Sequence, residues 1–258
     1  EVLKILQALE KEHALIRHKE HLYYFDHPLI REVLYDGILP ELREEYHRLI
    51  ADWLIERHAK DREYASRIAH HLLASRQNQQ AVTYLLLAAD QAKELYALEN
   101  ASGFYQKALT LVSGTSANAS EEQSAAIHEG LGDTYFLLGK TEDARNCFDR
   151  LLTFATVNQH ALRKAVIQRK LSEVHRILGN TQESFVMAEQ SLAVMKTQNN
   201  NFEMVRSLNA LGFLHFNRHA DWRTAMPILS EALTLAKSAD DTAGQIISLN
   251  NLALAHVH

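Results

Sequence analysis

Apolar and small residues recur at a fixed interval through the second half of this chain. Leu131-Gly132-x-x-Tyr135 is followed by Leu171-Ser172-x-x-His175, Leu211-Gly212-x-x-His215 and Leu252-Ala253-x-x-His256. The small residue therefore steps by 40, 40 and 41 positions. A second pattern, at i, i+4 and i+7, follows each of the first three: Ala144, Phe148 and Leu151, then Ser184, Ala188 and Ser191, then Ala225, Leu229 and Ala232. Such spacing within so long a repeat predicts two helices per repeat. A small residue lets two helices approach, and a large one nearby fills the remaining groove. Gly139 and Gly179 fall where a first helix would end in a left-handed residue. Lys140-Thr141-Glu142-Asp143 and Asn180-Thr181-Gln182-Glu183 then open second helices with capping residues and acids in the first turn. Thr224 is expected to cap a further second helix. That would put Pro227 in its first turn, where the missing N–H costs no bond.

A weaker copy lies upstream. Leu85, Ala88, Ala89 and Ala92 line one helix, Ala101, Tyr105 and Ala108 the next, and a helix over 63–75 precedes them. Residues 113–122 (SGTSANASEE) are of low complexity and are expected to be a mobile connection. The first sixty residues depart from the repeat. Residues 1–18 read as a helix, 22–26 as a short strand or β-wing, and 28–35 and 40–57 as two more helices, with Pro40 at a first turn. That order suggests the tail of a winged-helix domain. The expected division is a winged-helix-like segment over 1–60 and a repeat solenoid over 61–258. The chain begins inside a helix and ends one helix into a repeat, so a fragment of a longer protein is expected.

Composition narrows the functional classes. With 9 Gly and 3 Pro in 258 residues, long helices are favoured over strands and turns. The formal charge is −5, and residues 1–60 hold nine Lys/Arg against twelve Asp/Glu. That balance repels a phosphate backbone, so nucleic acid is not an expected partner. No apolar run approaches the roughly 20 residues of a membrane span. A single cysteine, Cys147, rules out an internal disulfide and fits a reducing, cytoplasmic compartment. The sequon at 118–120 is not expected to carry a glycan there.

The repeat residues resemble tetratricopeptide repeats, whose period is about 34 residues; here the helices are longer. Leu249-Asn250-Asn251-Leu252-Ala253 is similar to the first helix of kinesin-light-chain-type repeats. The resemblance implies an all-α fold: a right-handed superhelix of helical hairpins after a small winged-helix-like segment. It also implies a concave face lined by the first helices. On that face the matching positions are Arg169, Glu173 and Arg176, then Arg206, Asn209, Phe213 and Phe216, then Asn250 and Asn251. Asn can donate to and accept from a peptide backbone, and Arg can fork onto a carboxylate. A peptide, a protein or a small polar effector is the expected guest.

A second resemblance lies in Phe25-Asp26-His27-Pro28-Leu29-Ile30-Arg31-Glu32-Val33-Leu34-Tyr35, then Leu42-x-x-x-Tyr46-His47-x-x-Ile50-Ala51. His70-His71-Leu72-Leu73-Ala74 continues in the same style. These are similar to STAND-class signalling ATPases, in which an ATPase domain is followed by a winged helix and a helical-repeat sensor arm. The resemblance implies a regulatory arm of such an ATPase, in a parent that could self-associate. It makes His27 the candidate nucleotide-sensing histidine, although Pro28 stands where the family has an acid. A plain helix-capping role for His27 stays open, as does a free-standing adaptor for the whole chain.

Other chemistry is not expected. Gly139-Lys140-Thr141 imitates the end of a P-loop, but Thr134 stands where the motif needs glycine. Fifteen histidines invite a metal, yet His175, His215 and His256 sit one repeat apart, too far to share an ion. His215 and His219 are four apart, and a partner at a helix C-terminus is the blander role. His70 and His71 are expected on different faces of one helix. No catalytic residue, cofactor or metal is expected in this segment.

Overall fold

A computed structural model describes residues 2–20, 22–114, 121–219 and 221–256. Two compact units divide the chain, 1–84 and 85–258. The first holds α1 (Val2–Lys11), β1 (Ile16–Lys19), β2 (Leu22–Phe25), α2 (Pro28–Asp36), α3 (Pro40–His58), a 3-10 turn at Arg62–Tyr64 and α4 (Ala65–Ala74). The division falls within α5 (Asn78–Glu94). The second unit continues with α6 (Leu98–Gly114), α7 (Glu121–Leu137), α8 (Thr141–Val157), α9 (Ala161–Ile177), α10 (Thr181–Thr197), α11 (Asn201–His219), α12 (Trp222–Ser238) and α13 (Thr242–His256).

One turn geometry sets the repeat. Gly139 and Gly179 have φ of 72° and 80°. The next N–H reaches back to the carbonyl five residues earlier, Lys140 to Tyr135 at 2.9 Å and Asn180 to His175 at 2.8 Å. Gln159, Asn199 and Asp240 adopt the same left-handed conformation at the ends of second helices. There His160 N–H donates to Ala155 O at 2.9 Å and Asp241 N–H to Ala236 O at 2.9 Å. This closure pairs carbonyls that a helix end would leave unsatisfied. Left-handed residues at 139, 159, 179 and 199 fall 20 apart, so two helices and two turns make the 40-residue step.

Packing within each hairpin follows the small-and-large pattern. A Cβ on Gly212 would lie 2.5 Å from Leu229 Cδ2, so only glycine lets α11 and α12 approach this closely. Gly130 makes the equivalent room for the Tyr105 ring between α6 and α7. The α9–α10 hairpin solves the problem differently. Ser172 replaces the glycine and Ala188 the large residue, and Ser184 Oγ donates to Ser172 O at 2.7 Å. Both serines are buried and paired, so their hydroxyls cost little. First helices also touch across repeats, α9 with α11 and α11 with α13.

The all-helical repeat fold follows the sequence expectation, but three local expectations do not hold. The helix expected over 1–18 stops at Lys11, and Ile16–Lys19 pairs antiparallel with Leu22–Phe25. Ile16 is buried, and Glu10 accepts from His18 N–H at 3.0 Å, which ties the hairpin to α1. The cap of α12 is Asp221, whose carboxylate accepts from Thr224 N–H at 3.1 Å, and not Thr224. Pro227 therefore lies inside α12 and withholds an N–H from the Arg223 carbonyl. Of the expected connection at 113–122, residues 115–120, including the sequon, lie outside the described residues. Among the described residues, no helix is long and apolar enough to cross a membrane.

Candidate functional site

Helical periodicity puts residues three and four apart on one face, so each first helix presents a stripe to its neighbour. Between α9, α11 and α13 these stripes enclose a groove of ≈ 410 Å³. Arg169, Glu173, Arg176, Arg206, Asn209, Phe213 and Asn251 line it, as the repeat register implies. Phe216 does not: it packs against the cluster of Ala225, Leu229 and Ala255. Asn250 is exposed on α13 and is not part of the lining.

The groove is cationic. Arg169 Nε lies 2.9 Å from Glu203 Oε2, and its Nη1 is 3.1 Å from Glu173 Oε1. Arg206 Nη1 reaches the other Glu203 oxygen at 3.5 Å. Arg176 instead stands over the Phe213 ring, 5.0 Å from its centroid. Among the described residues it makes no ion pair. Three arginines thus meet two carboxylates, and the unmatched cation is on an aromatic platform. A guanidinium so placed keeps its fork of donors for a carboxylate.

Asn209 has a different task from the one its register suggests. It is buried, and its Nδ2 donates to Val205 O at 2.9 Å and to Ser248 Oγ at 2.8 Å. Its Oδ1 accepts from Asn251 Nδ2 at 3.2 Å. Both amide protons are committed to the α11–α13 joint, so Asn209 holds the groove wall in place.

A neighbouring groove of ≈ 410 Å³ lies between α5, α7 and α9. Its charges answer one another. Lys170 Nζ is 2.7 Å from Asp133 Oδ1 and 3.1 Å from Glu129 Oε1, and Lys93 Nζ is 3.9 Å from Asp133 Oδ2. Arg163 adds a contact of 3.6 Å to Glu129. Burial pushes the Glu129 carboxyl up, but Lys170 and Arg163 outweigh it and hold the group below its ordinary value. Although this groove is as large as the first, it offers a guest less unsatisfied charge.

In the first unit His27 caps α2, its Nδ1 accepting from Leu29 N–H at 3.2 Å. That bond leaves Nε2 as the protonated nitrogen of a neutral ring. His70 and His71 were expected on different faces of a helix, yet both reach one partner, His47 on α3. Burial, with His47, His70 and Arg67 adding to it, pushes the His71 imidazole down to about 4. The sequence pointed to none of this, because His47 is 24 residues away on another helix. Along the repeats, His215 Nδ1 faces Asp221 at 3.8 Å, and the side chain of His219 lies outside the described residues.

Residues 123–197 match the tetratricopeptide-repeat family model. The match covers the hairpins α7–α8 and α9–α10. Solved structures extend the likeness as fold alone. BtubC (BKLC) from P. vanneervenii is 17% identical, with 80% of this chain and 87% of that one covered at a TM-score of 0.56. Aspartyl phosphate phosphatase F from Bacillus subtilis is 10% identical, with 94% and 63% covered at 0.61. The Rap conjugation gene regulator of plasmid pLS20, solved in complex with the Phr* peptide, is 14% identical, with 72% and 54% covered at 0.55. No curated protein matches the chain. Residues 123–197 thus resemble tetratricopeptide repeats, and the solved structures share the helical-repeat fold of the chain.

Proposed function

We propose that the second unit is a binding module whose α9–α11–α13 groove takes an extended peptide segment carrying a carboxylate. The observation that carries this reading is Arg176, a guanidinium lying over Phe213 with no ion pair among the described residues. Arg206 adds a second guanidinium, whose Nη1 donates to the Phe202 carbonyl at 3.3 Å and makes a long contact to Glu203. Arg169, engaged on both sides, serves as the wall. The tetratricopeptide match and the peptide complex of the pLS20 Rap regulator support a peptide or protein guest. The reading involves no catalysis, cofactor or nucleic acid. A displayed library of random peptides, selected on the whole chain, tests it. Enrichment of Asp- or Glu-bearing peptides is expected, and selection of sequences indifferent to acid content would refute it.

A regulatory role follows as the finer reading: the chain is the sensor arm of a STAND-type ATPase, and the free-standing adaptor is the alternative. What favours the arm is the first unit. Leu42, Tyr46, Leu49, Ile50 and Trp53 form an exposed apolar stripe on α3, separate from its buried face of His47, Ala51 and Leu54. So large an apolar face on one helix suits a contact with another domain of the same protein. His27, whose Nδ1 accepts from Leu29 N–H and whose Nε2–H is its one donor, suits an anion such as a nucleotide phosphate. In the parent protein, replacing His27 should raise basal ATPase output, and unchanged nucleotide retention would remove that role. A reducing, cytoplasmic setting suits Cys147, whose thiol burial pushes up to about 11.

A further inference from the structure

Three imidazoles from two helices converge in the first unit. His47 projects from the buried face of α3, and His70 and His71 are consecutive on α4. One ring nitrogen from each lies within 4.8 Å of the other two. His47 Nδ1 is 2.8 Å from His71 Nδ1, and His47 Nε2 is 2.9 Å from the Tyr35 hydroxyl. The three rings form a triangle, with centroids 5.6 Å apart for His47 and His70, 4.9 Å for His47 and His71, and 5.2 Å for His70 and His71.

A buried histidine is ordinarily satisfied by a carbonyl, hydroxyl or carboxylate. Here one imidazole faces another, and a contact of 2.8 Å between two Nδ1 atoms needs a proton between them. We propose that His47, His70 and His71 form a binding site for a first-row divalent transition-metal ion, Zn²⁺ foremost. Three neutral nitrogen donors suit such an ion and not Ca²⁺ or Mg²⁺, which require oxygen. Tyr35 completes the design, because a hydroxyl accepting from Nε2–H leaves Nδ1 of His47 as the donor to metal.

The geometry needs only small changes. Zn–N bonds are about 2.0–2.1 Å, so two nitrogens on a tetrahedral ion lie about 3.3 Å apart. The His47–His71 pair opens by about half an ångström, and the exposed His70 ring swings inward. The proton shared by the two Nδ1 atoms passes to Nε2 of the ring that carries it, with no net release. A water fills the fourth position, as in other three-histidine zinc sites. Arg67, whose charge reaches His71, opposes the ion and keeps affinity moderate. The bound ion ties α3 to α4 and, through Tyr35, α2 to both.

The test uses the whole chain, without a polyhistidine tag, stripped with chelator and titrated with Co²⁺ and then Zn²⁺. Expected are equimolar binding, the visible spectrum of four-coordinate Co²⁺, and its loss when Zn²⁺ displaces it. His70→Ala and His71→Ala should each weaken binding at least about tenfold, and Tyr35→Phe about tenfold. His13→Ala, at an exposed position, should not. His70 is exposed, so its variant stays informative even where His47→Ala fails to fold. No saturable binding, or binding that survives both His70→Ala and His71→Ala, would overturn the proposal.

Discussion

A Cβ built on Gly132 would lie 2.5 Å from Cε1 of Phe148, a ring that is almost wholly buried. The α7–α8 hairpin closes because one helix gives up a side chain where the other inserts its largest. Gly132→Ala gains helix propensity but forces the ring off its site, so a net loss of about 1–2 kcal/mol is expected. Gly103, with nothing within 4 Å of its Cβ position, is the control. Gly103→Ala should stabilise by about 0.5–1 kcal/mol. Urea denaturation of the two variants checks the contrast, and equal effects would refute the packing argument.

Asn209 holds α13 to α11 through Ser248 and Asn251. Asn209→Ala leaves the partner groups short of a bond in a buried setting and should cost about 1–3 kcal/mol. The loss should be local. Hydrogen exchange should speed up in α13 while α7 and α8 keep their protection. Uniform acceleration across the second unit would mean that Asn209 supports more than this joint.

Glu129 gives a pH signature. Its folded-state pKa is depressed below the ordinary 4.5, because Lys170 and Arg163 outweigh the opposing effect of burial. A depressed carboxyl contributes stability that is complete above the unfolded value and is lost as pH falls through the folded one. Stability of the second unit should therefore decline as pH drops below about 4.5. Lys170→Met should cost about 1–2 kcal/mol at neutral pH and flatten that decline. Denaturation midpoints from pH 3 to 7 for both proteins measure it, and parallel curves would exclude the pairing as the cause.

Pro227 interrupts α12 six residues after its Asp221 cap. Its ring removes one helical hydrogen bond and crowds the preceding turn. Pro227→Ala should raise the melting temperature, with a gain of about 1–3 kcal/mol. An unchanged or lower value would mean that the proline ring itself is required for packing.

The repeat was legible because its causes are local. Gly132 opposite Phe148 and Gly212 opposite Leu229 are written as residue types at fixed spacing. Gly139 and Gly179 announce their turns for the same reason. Gln159, Asn199 and Asp240 adopt the same left-handed turn without glycine, so the chain text does not mark them. The strand at Ile16–Lys19 was hidden because α1 supplies an apolar pattern that runs on into it. Register placed Arg169, Glu173, Arg176, Arg206 and Phe213 on the groove but could not tell a groove residue from a joint residue. Asn209 and Phe216 are set by what stands opposite, on α13 and α12. The histidine cluster was the least legible feature, since it depends on how α3 lies against α4.

The groove itself is tested most directly by titrating an acid-bearing peptide, chosen by selection on the wild-type chain, into Arg176→Ala and Phe213→Ala. Each variant should keep the wild-type helical circular dichroism and melting temperature, because neither side chain lies in the hairpin core. Affinity should fall about tenfold or more for Arg176→Ala, the loss expected for a charge-assisted contact. Its dependence on salt should weaken at the same time. Unchanged affinity in both variants, with fold intact, would contradict the assignment of this groove as the binding site.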